Sequence, residues 1–275
     1  MNNKANNEIM VSIITTTFNS LKFLPLCIKS IQNQTFRNYE HIIINDGSTD
    51  NTKDYLNSLK DDHIRVFHLE RSGRGPSLNK GLLESKGRYI AILDADDLSI
   101  SLRLEIQTNI LEENPSYDLL ASGYSIFNGQ SIEDINNSSK YQENPSLSLK
   151  KINLKDFIYK NPICHSSVMM RKDIFNKVDI YDQTRNELFD FDLWVRMVVS
   201  KEVKMYQFDR VLIFRNLHDQ QYFESKKRLN YIFQTYRIRR RLLKLINYSY
   251  FYQLVMLCVL FYGLLPRFIR KNFMN

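Results

Sequence analysis

The chain has 275 residues, 43% of them apolar and 25% charged, enough for one large globular domain with or without an appendage and too apolar for a disordered protein. Its net charge of +8 is unevenly spread: eleven basic residues and no acidic one follow Glu224, so 27 basic residues stand against 30 acidic ones in positions 1–224. This argues against a nucleic-acid-binding body and for a basic tail that meets an anionic surface. Cys27, Cys164 and Cys258 lie far apart without a CxxC pair, which gives no disulfide or zinc signal and suits a reducing cytoplasm.

The first ten residues lack the apolar core of a secretory leader, so the body of the chain is expected in the cytosol. Val11–Thr16 is β-rich and mostly apolar and predicts a buried strand. Asn19-Ser20 is expected to cap a helix running to about Asn33, with Leu24, Ile28 and Ile31 on its buried face. Tyr39–Ile44 predicts a second strand, ended by Asn45-Asp46-Gly47-Ser48-Thr49-Asp50. A helix is expected over Thr52–Lys60 and a third strand over Ile64–Leu69. Gly75-Pro76 opens a helix to about Ser85, since proline in the first turn sacrifices no hydrogen bond. Tyr89–Leu93 predicts a fourth strand, and three carboxylates, Asp94, Asp96 and Asp97, follow it at once.

Strands alternating with helices imply crossover connections, a mainly parallel sheet flanked by helices and an α/β architecture. Ligands in such sheets bind beyond the carboxyl ends of the strands. The polar clusters 16–19, 45–48, 72–75 and 94–97 all fall at those ends. Like charges crowded after a strand repel unless a cation or ligand neutralises them. Asp94 and Asp96, two residues apart, share one face in an extended segment.

Beyond this half, 128–148 is rich in Ser, Asn and Gln and reads as a loop or insertion. A helix is expected near Leu154–Tyr159, an apolar segment at Ser167–Met170, an amphipathic helix through Trp194 and Val198, and a strand within Val203–Phe214. Leu245–Pro266 carries no charge over 22 residues, but Asn247, Ser249, Gln253 and four tyrosines interrupt it. With Arg and Lys on both sides, it fits a segment lying at a membrane interface better than a span.

Several chemistries are excluded. Ser72-Gly73-Arg74-Gly75-Pro76-Ser77-Leu78 has Leu78 where a dinucleotide fingerprint needs a third glycine, and no P-loop occurs. No two His residues have zinc-ligand spacing; His41, His63 and His68 flank strands and read as structural. What remains is a sheet edge of hydroxyls, an amide, carboxylates and Arg74, a set that suits a nucleotide diphosphate bridged by Mg²⁺ or Mn²⁺.

Together, Val-Ser-Ile-Ile-x-Thr-x-x-Asn (11–19), Ile-Ile-Asn-Asp-Gly-Ser-Thr-Asp (43–50), Asn79-x-Gly81 before Gly87-Arg88-Tyr89-Ile90, Leu-Asp-Ala-Asp-Asp (93–97), Asn161–Met169 and Asp190–Arg196 resemble family 2 glycosyltransferases of the GT-A (nucleotide-diphospho-sugar transferase) fold. The likeness covers roughly residues 9–215 in the expected order. It implies a catalytic domain over 1–218, with a nucleotide-binding half at about 9–115 and an acceptor half at about 116–218, and a helical membrane-associating tail over 219–275.

The same resemblance implies the site. Thr16 and Asp46 match the nucleotide-base contacts, and Asn19 and Asn79 belong to the nucleotide-sugar set. Asp94 and Asp96 match the Asp-x-Asp pair, the first nearer the ribose and the second on a Mn²⁺ or Mg²⁺ ion. Arg74 is placed toward the diphosphate, with a solvated loop arginine as the alternative. His165 is placed near the donor sugar or diphosphate, with a hydrogen-bonded structural histidine as the alternative. Asp190 matches the catalytic base, although Asp is also a favoured helix cap. The family usually has Glu-Asp where this chain has Phe189-Asp190, which leaves Glu187 as a possible second acid. Trp194 reads as core or acceptor-pocket packing.

The implied reaction is inverting transfer from a nucleotide-sugar donor, UDP-hexose or UDP-N-acetylhexosamine, to a lipid-linked oligosaccharide. The nearest likeness is to capsule, exopolysaccharide and O-antigen transferases of the amylovoran-biosynthesis type. The expected place is the inner face of the cell membrane, held peripherally by the tail. A sugar-phosphate nucleotidyltransferase would want a Gly-rich basic loop after the first strand, and Thr15–Ser20 holds no Gly, Lys or Arg. A non-catalytic sugar-nucleotide-binding partner of another transferase is disfavoured by the presence of Asp96 and Asp190.

Overall fold

The structure is a computed structural model describing residues 8–127, 133, 135, 148–185, 187–216 and 228–245, together with 254, 257, 258 and 261. A nine-stranded mixed sheet forms its centre: β1 (Val11–Thr17), β2 (Tyr39–Asp46), β3 (Ile64–Leu69), β4 (Tyr89–Ile92), β5 (Leu98–Ser99), β6 (Leu119–Phe127), β7 (Lys150–Lys151), β8 (Val168–Arg171) and β9 (Met205–Asn216). The order is β3-β2-β1-β4-β8-β6-β9-β5, with β7 on β9. The first four strands are parallel, as their crossover helices require. Beyond them β8 runs antiparallel to both β4 and β6, while β6 and β9 pair in parallel, so the expected mainly parallel sheet is mixed in its second half.

Seven α-helices have described bounds, α1 (Leu24–Gln32), α2 (Thr52–Ser58), α3 (Arg74–Glu84), α4 (Arg103–Glu113), α5 (Asp156–Tyr159), α6 (Phe189–Val199) and α7 (Arg228–Leu245), beside two 3-10 turns at His165–Ser167 and Lys172–Asn176. Alternation along the strands divides the core. Ile14, Ile90, Ile92 and Met170 pack under α3, α6 and the Ile238 and Leu242 side chains of α7. Val11, Ile13, Ala91 and Met169 pack under α1 and α4. Strands buried on both faces are rich in apolar residues, which is why β1, β2 and β4 were legible; β3, at the sheet edge, is only half-buried.

One expected boundary changes. Asn19-Ser20 does not cap α1. Asn19 takes a left-handed backbone (φ 49), and the helix begins at Leu24, with Pro25 in its first turn, after a turn closed by Ser20. The stretch 98–127 holds α4 and β6, two elements that carried no sequence expectation. Most of the loop at 128–148 and of Leu245–Pro266 lies outside the described residues. Among the described residues, no helix is long and apolar enough to cross a membrane.

Candidate active site

The carboxyl ends of β1, β2 and β4 and the start of α3 open onto a cleft of about 260 Å³. Thr16, Asn19, Asp46, Arg74, Asp94 and Asp96 line it, so six of the expected site residues converge there. Phe18 and Arg71 also line it and were not anticipated.

Asp46 ends β2 and is buried. It accepts hydrogen bonds from the Ser72 backbone N–H (2.8 Å), the Ser72 hydroxyl (3.0 Å) and the Gly73 N–H (3.1 Å), and it pairs with Arg71. Arg71 in turn lies 3.6 Å above the Phe18 ring, a cation–π arrangement that closes one end of the cleft. Gly47 makes this approach possible: it sits at φ 69, and a Cβ there would meet the Arg71 backbone nitrogen at 2.6 Å. Asn19 ties two loops together, its Oδ1 accepting from the Thr49 N–H (2.7 Å) and its Nδ2 donating to the Thr49 hydroxyl (3.1 Å).

The turn after β4 gathers Asp94, Asp96 and Asp97, with one oxygen of each inside 4.8 Å of the others. Asp94 pairs with Arg74 and lies 3.1 Å from His165 Nδ1. Burial alone would raise the Asp94 pKa, but Arg74 and His165 hold it well below the usual carboxylate range. Asp97 is pushed the other way, well above that range, by burial first and then by repulsion from Asp94 and Asp96. The Ser166 hydroxyl donates to Asp97 and accepts from the Asp94 N–H (3.2 Å), so one serine couples the two carboxylates. Three mutually repelling carboxylates offering only oxygen fit a hard divalent cation. Asp94, expected nearer the ribose, and Asp97 therefore join the expected Asp96 as candidate ligands; the place of Asp97 in the same acidic run was the available signal.

Arg74 stays firmly protonated: burial works against its charge, and Asp94, Asp96 and Asp190 outweigh it. Asp190 thus shares an electrostatic neighbourhood with the Asp-x-Asp turn, although 94 positions separate it from Asp96. It sits in the first turn of α6, where the helix dipole favours an anion, and Asn161 donates to its Oδ2 (3.3 Å). Leu188, in a left-handed conformation (φ 55), turns the chain into this helix. Asp192 has a different job, pairing with Arg185 (3.0 Å) and Arg196 (2.9 Å). Phe189, at the position where the family carries an acid, packs edge-on to His165 (5.7 Å between centroids) and under the Arg74 guanidinium (5.1 Å).

Two expected residues stand behind the cleft. His165 is buried between Asp94 and the Tyr181 hydroxyl, 3.0 Å from its Nε2. Asn79 is buried, with both amide atoms engaged on the Tyr181 backbone (2.8 and 3.0 Å), so its polar groups do not reach the cleft.

Residues 12–179 match the Glycosyl transferase family 2 model. An uncharacterized glycosyltransferase of Methanocaldococcus jannaschii is 33% identical over 207 residues, covering 73% of this chain and 67% of that protein. The putative glycosyltransferase EpsE of Bacillus subtilis is 31% identical, covering 70% of this chain and 67% of that protein. Rickettsial relatives match at 30–31% identity, but the chain spans only 30% of the Rickettsia bellii protein and 65% of the Rickettsia typhi one. Staphylococcus aureus TarS 1–349, solved with UDP-GlcNAc, superposes with a TM-score of 0.64 at 17% identity, covering 85% of this chain and 66% of that one. The fold is of the GT-A type, and the chain belongs to glycosyl transferase family 2.

Proposed function

We propose that this chain is an inverting, metal-dependent glycosyltransferase that takes a UDP-hexose or UDP-N-acetylhexosamine donor and a lipid-linked glycan acceptor in surface polysaccharide synthesis. The observation that carries the reading is the gathering of Thr16, Asp46, Arg74 and the Asp-x-Asp turn around one cleft, with Phe189, the neighbour of Asp190, packed against the Arg74 guanidinium. TarS, a structure of the same fold, binds UDP-GlcNAc, which supports a UDP-sugar as donor.

Nucleotide binding would fall to the end of the cleft with Thr16, Asp46 and Phe18, leaving the diphosphate near Arg74. Asp96, with Asp94 and Asp97 close by, would hold Mn²⁺ or Mg²⁺, which supplies positive charge where the leaving diphosphate develops negative charge. Asp190 takes the proton of the acceptor hydroxyl as its oxygen attacks the anomeric carbon. The bond from that carbon to the diphosphate oxygen breaks, and its electron pair leaves with the nucleotide. General base catalysis of this kind contributes about 10²–10⁴-fold.

The tail supports a membrane-linked acceptor. Along α7 Ile238 and Leu242 face the core, while Phe233, Arg237 and Arg240 are exposed, an arrangement that suits contact with anionic headgroups at the cytoplasmic face. The test is purified protein with a UDP-sugar panel, Mn²⁺ and membrane lipid extract, beside Asp190→Asn and Asp96→Ala. Transfer by wild type and its loss in both variants are expected. Transfer unaffected by either substitution overturns the mechanism.

A further inference from the structure

Arg74 is underused for a residue so well placed. Its Nη2 pairs with Asp94 and comes within 3.5 Å of His165 Nδ1, yet its Nε is buried with no hydrogen-bond partner. The side chain lines the cleft and is 39% exposed. A guanidinium carries five donors in a fixed fork, and a diphosphate is the ligand class richest in matching acceptors. Asp94, its partner, belongs to the cluster of three carboxylates that suits a divalent cation. Guanidinium and cation therefore compete for one carboxylate and repel each other across it.

We infer that Arg74 is an exchangeable counter-ion, neutralising Asp94 while the cleft is empty and passing to the diphosphate when a nucleotide and a divalent cation enter. The inference rests on the donor-binding reading above. Phe189 makes the exchange feasible: an aromatic face steadies the guanidinium without a second fixed charge, whereas an acid at that position would anchor it. Because each ligand removes an obstacle to the other, cation and nucleotide bind with positive coupling, and the coupling passes through Arg74.

Calorimetric titration of the full chain with Mn²⁺ alone, and with UDP in the presence of Mn²⁺, tests this. Arg74→Gln is expected to bind Mn²⁺ alone about tenfold more tightly, since a like charge is gone. It should bind UDP with Mn²⁺ about tenfold more weakly, since a charge-assisted contact is lost. Arg74→Lys, which keeps the charge, should bind Mn²⁺ alone as wild type does. Thermal unfolding checks that each variant is folded, and Arg74→Met carries the same expectations if the glutamine variant is not. Neutral variants whose Mn²⁺ affinity is unchanged or weaker overturn the exchange while leaving the transferase reading intact. Wild type that binds neither UDP nor Mn²⁺ overturns both.

Discussion

Asn79 and Tyr181, 102 positions apart, exchange two hydrogen bonds: the Asn79 Nδ2 donates to the Tyr181 carbonyl, and the Tyr181 N–H donates to Asn79 Oδ1. One side chain thereby completes the backbone pairing of a buried residue whose hydroxyl meets His165. The asparagine of the Asn-x-Gly motif fastens α3 to the segment leading into α6, and so sets where Asp190 lies relative to Asp94.

Asn79→Ala should therefore act on stability. It strands a buried N–H and a buried carbonyl, and unfolding by urea should show a loss of about 2–4 kcal/mol. UDP affinity of the folded fraction should be unchanged. A large loss of affinity at unchanged stability would return Asn79 to the donor set.

Asp190 and Asp192 lie two residues apart in α6, on different sides of the helix, and are expected to separate cleanly. Asp190→Asn should lower kcat by about 10²–10⁴ while leaving the melting temperature close to wild type. Asp192→Asn weakens pairs to Arg185 and Arg196, so it should lower the melting temperature with the smaller effect on kcat. Steady-state kinetics beside thermal unfolding decides, and a reversed pattern would move the base to Asp192.

Gly47→Ala combines an unfavourable left-handed backbone with a Cβ driven against the Arg71 backbone. The cost should be about 1–3 kcal/mol. The displaced Arg71 loop should also loosen its grip on Asp46 and weaken UDP binding, measurable by calorimetry on the same preparation.

His41 supplies a pH dependence unconnected with catalysis. It is buried in β2 beside the Thr15 hydroxyl (2.9 Å), and burial lowers its pKa to about 4 from an ordinary 6.5. Between those values the unfolded chain binds the proton more readily, so stability rises with pH there. The loss begins as pH falls through 6.5 and is complete near 4, amounting to about 3 kcal/mol. The difference between wild type and His41→Gln in urea midpoints across pH 4–7 isolates this group. Parallel curves would show that His41 stays protonation-silent.

Of the N-terminal parallel strands, β1, β2 and β4 were readable because they are buried and carry apolar centres (Ile13 and Ile14, Ile42 to Ile44, Tyr89 to Ile92), whereas β3, half-exposed at the sheet edge, showed itself by Ile64, Val66 and Phe67. In the mixed half, β9 and α6 were anticipated but α4 and β6 were not. Arg103 and Gln107 give α4 a polar pattern, yet both are fully buried. Arg103 donates to the Ile92 and Val168 carbonyls (3.0 Å each) and Gln107 to Ser167 (2.9 Å). Polar residues in a core defeat a reading based on hydrophobic period, because their partners are backbone groups distant in sequence.

Residue order alone determined the chemistry on offer: four polar clusters at strand ends, an acidic run after β4, and a carboxylate at Asp190. Tertiary structure decided which of those groups face the cleft. Local pattern specifies residue type and element, whereas contact between positions 74, 94, 165 and 189 depends on strand order and helix docking. The fold therefore buried Asn79 against the Tyr181 backbone and His165 between Asp94 and Tyr181, brought Phe18 and Arg71 to the cleft, and set Arg74 between Asp94 and Phe189.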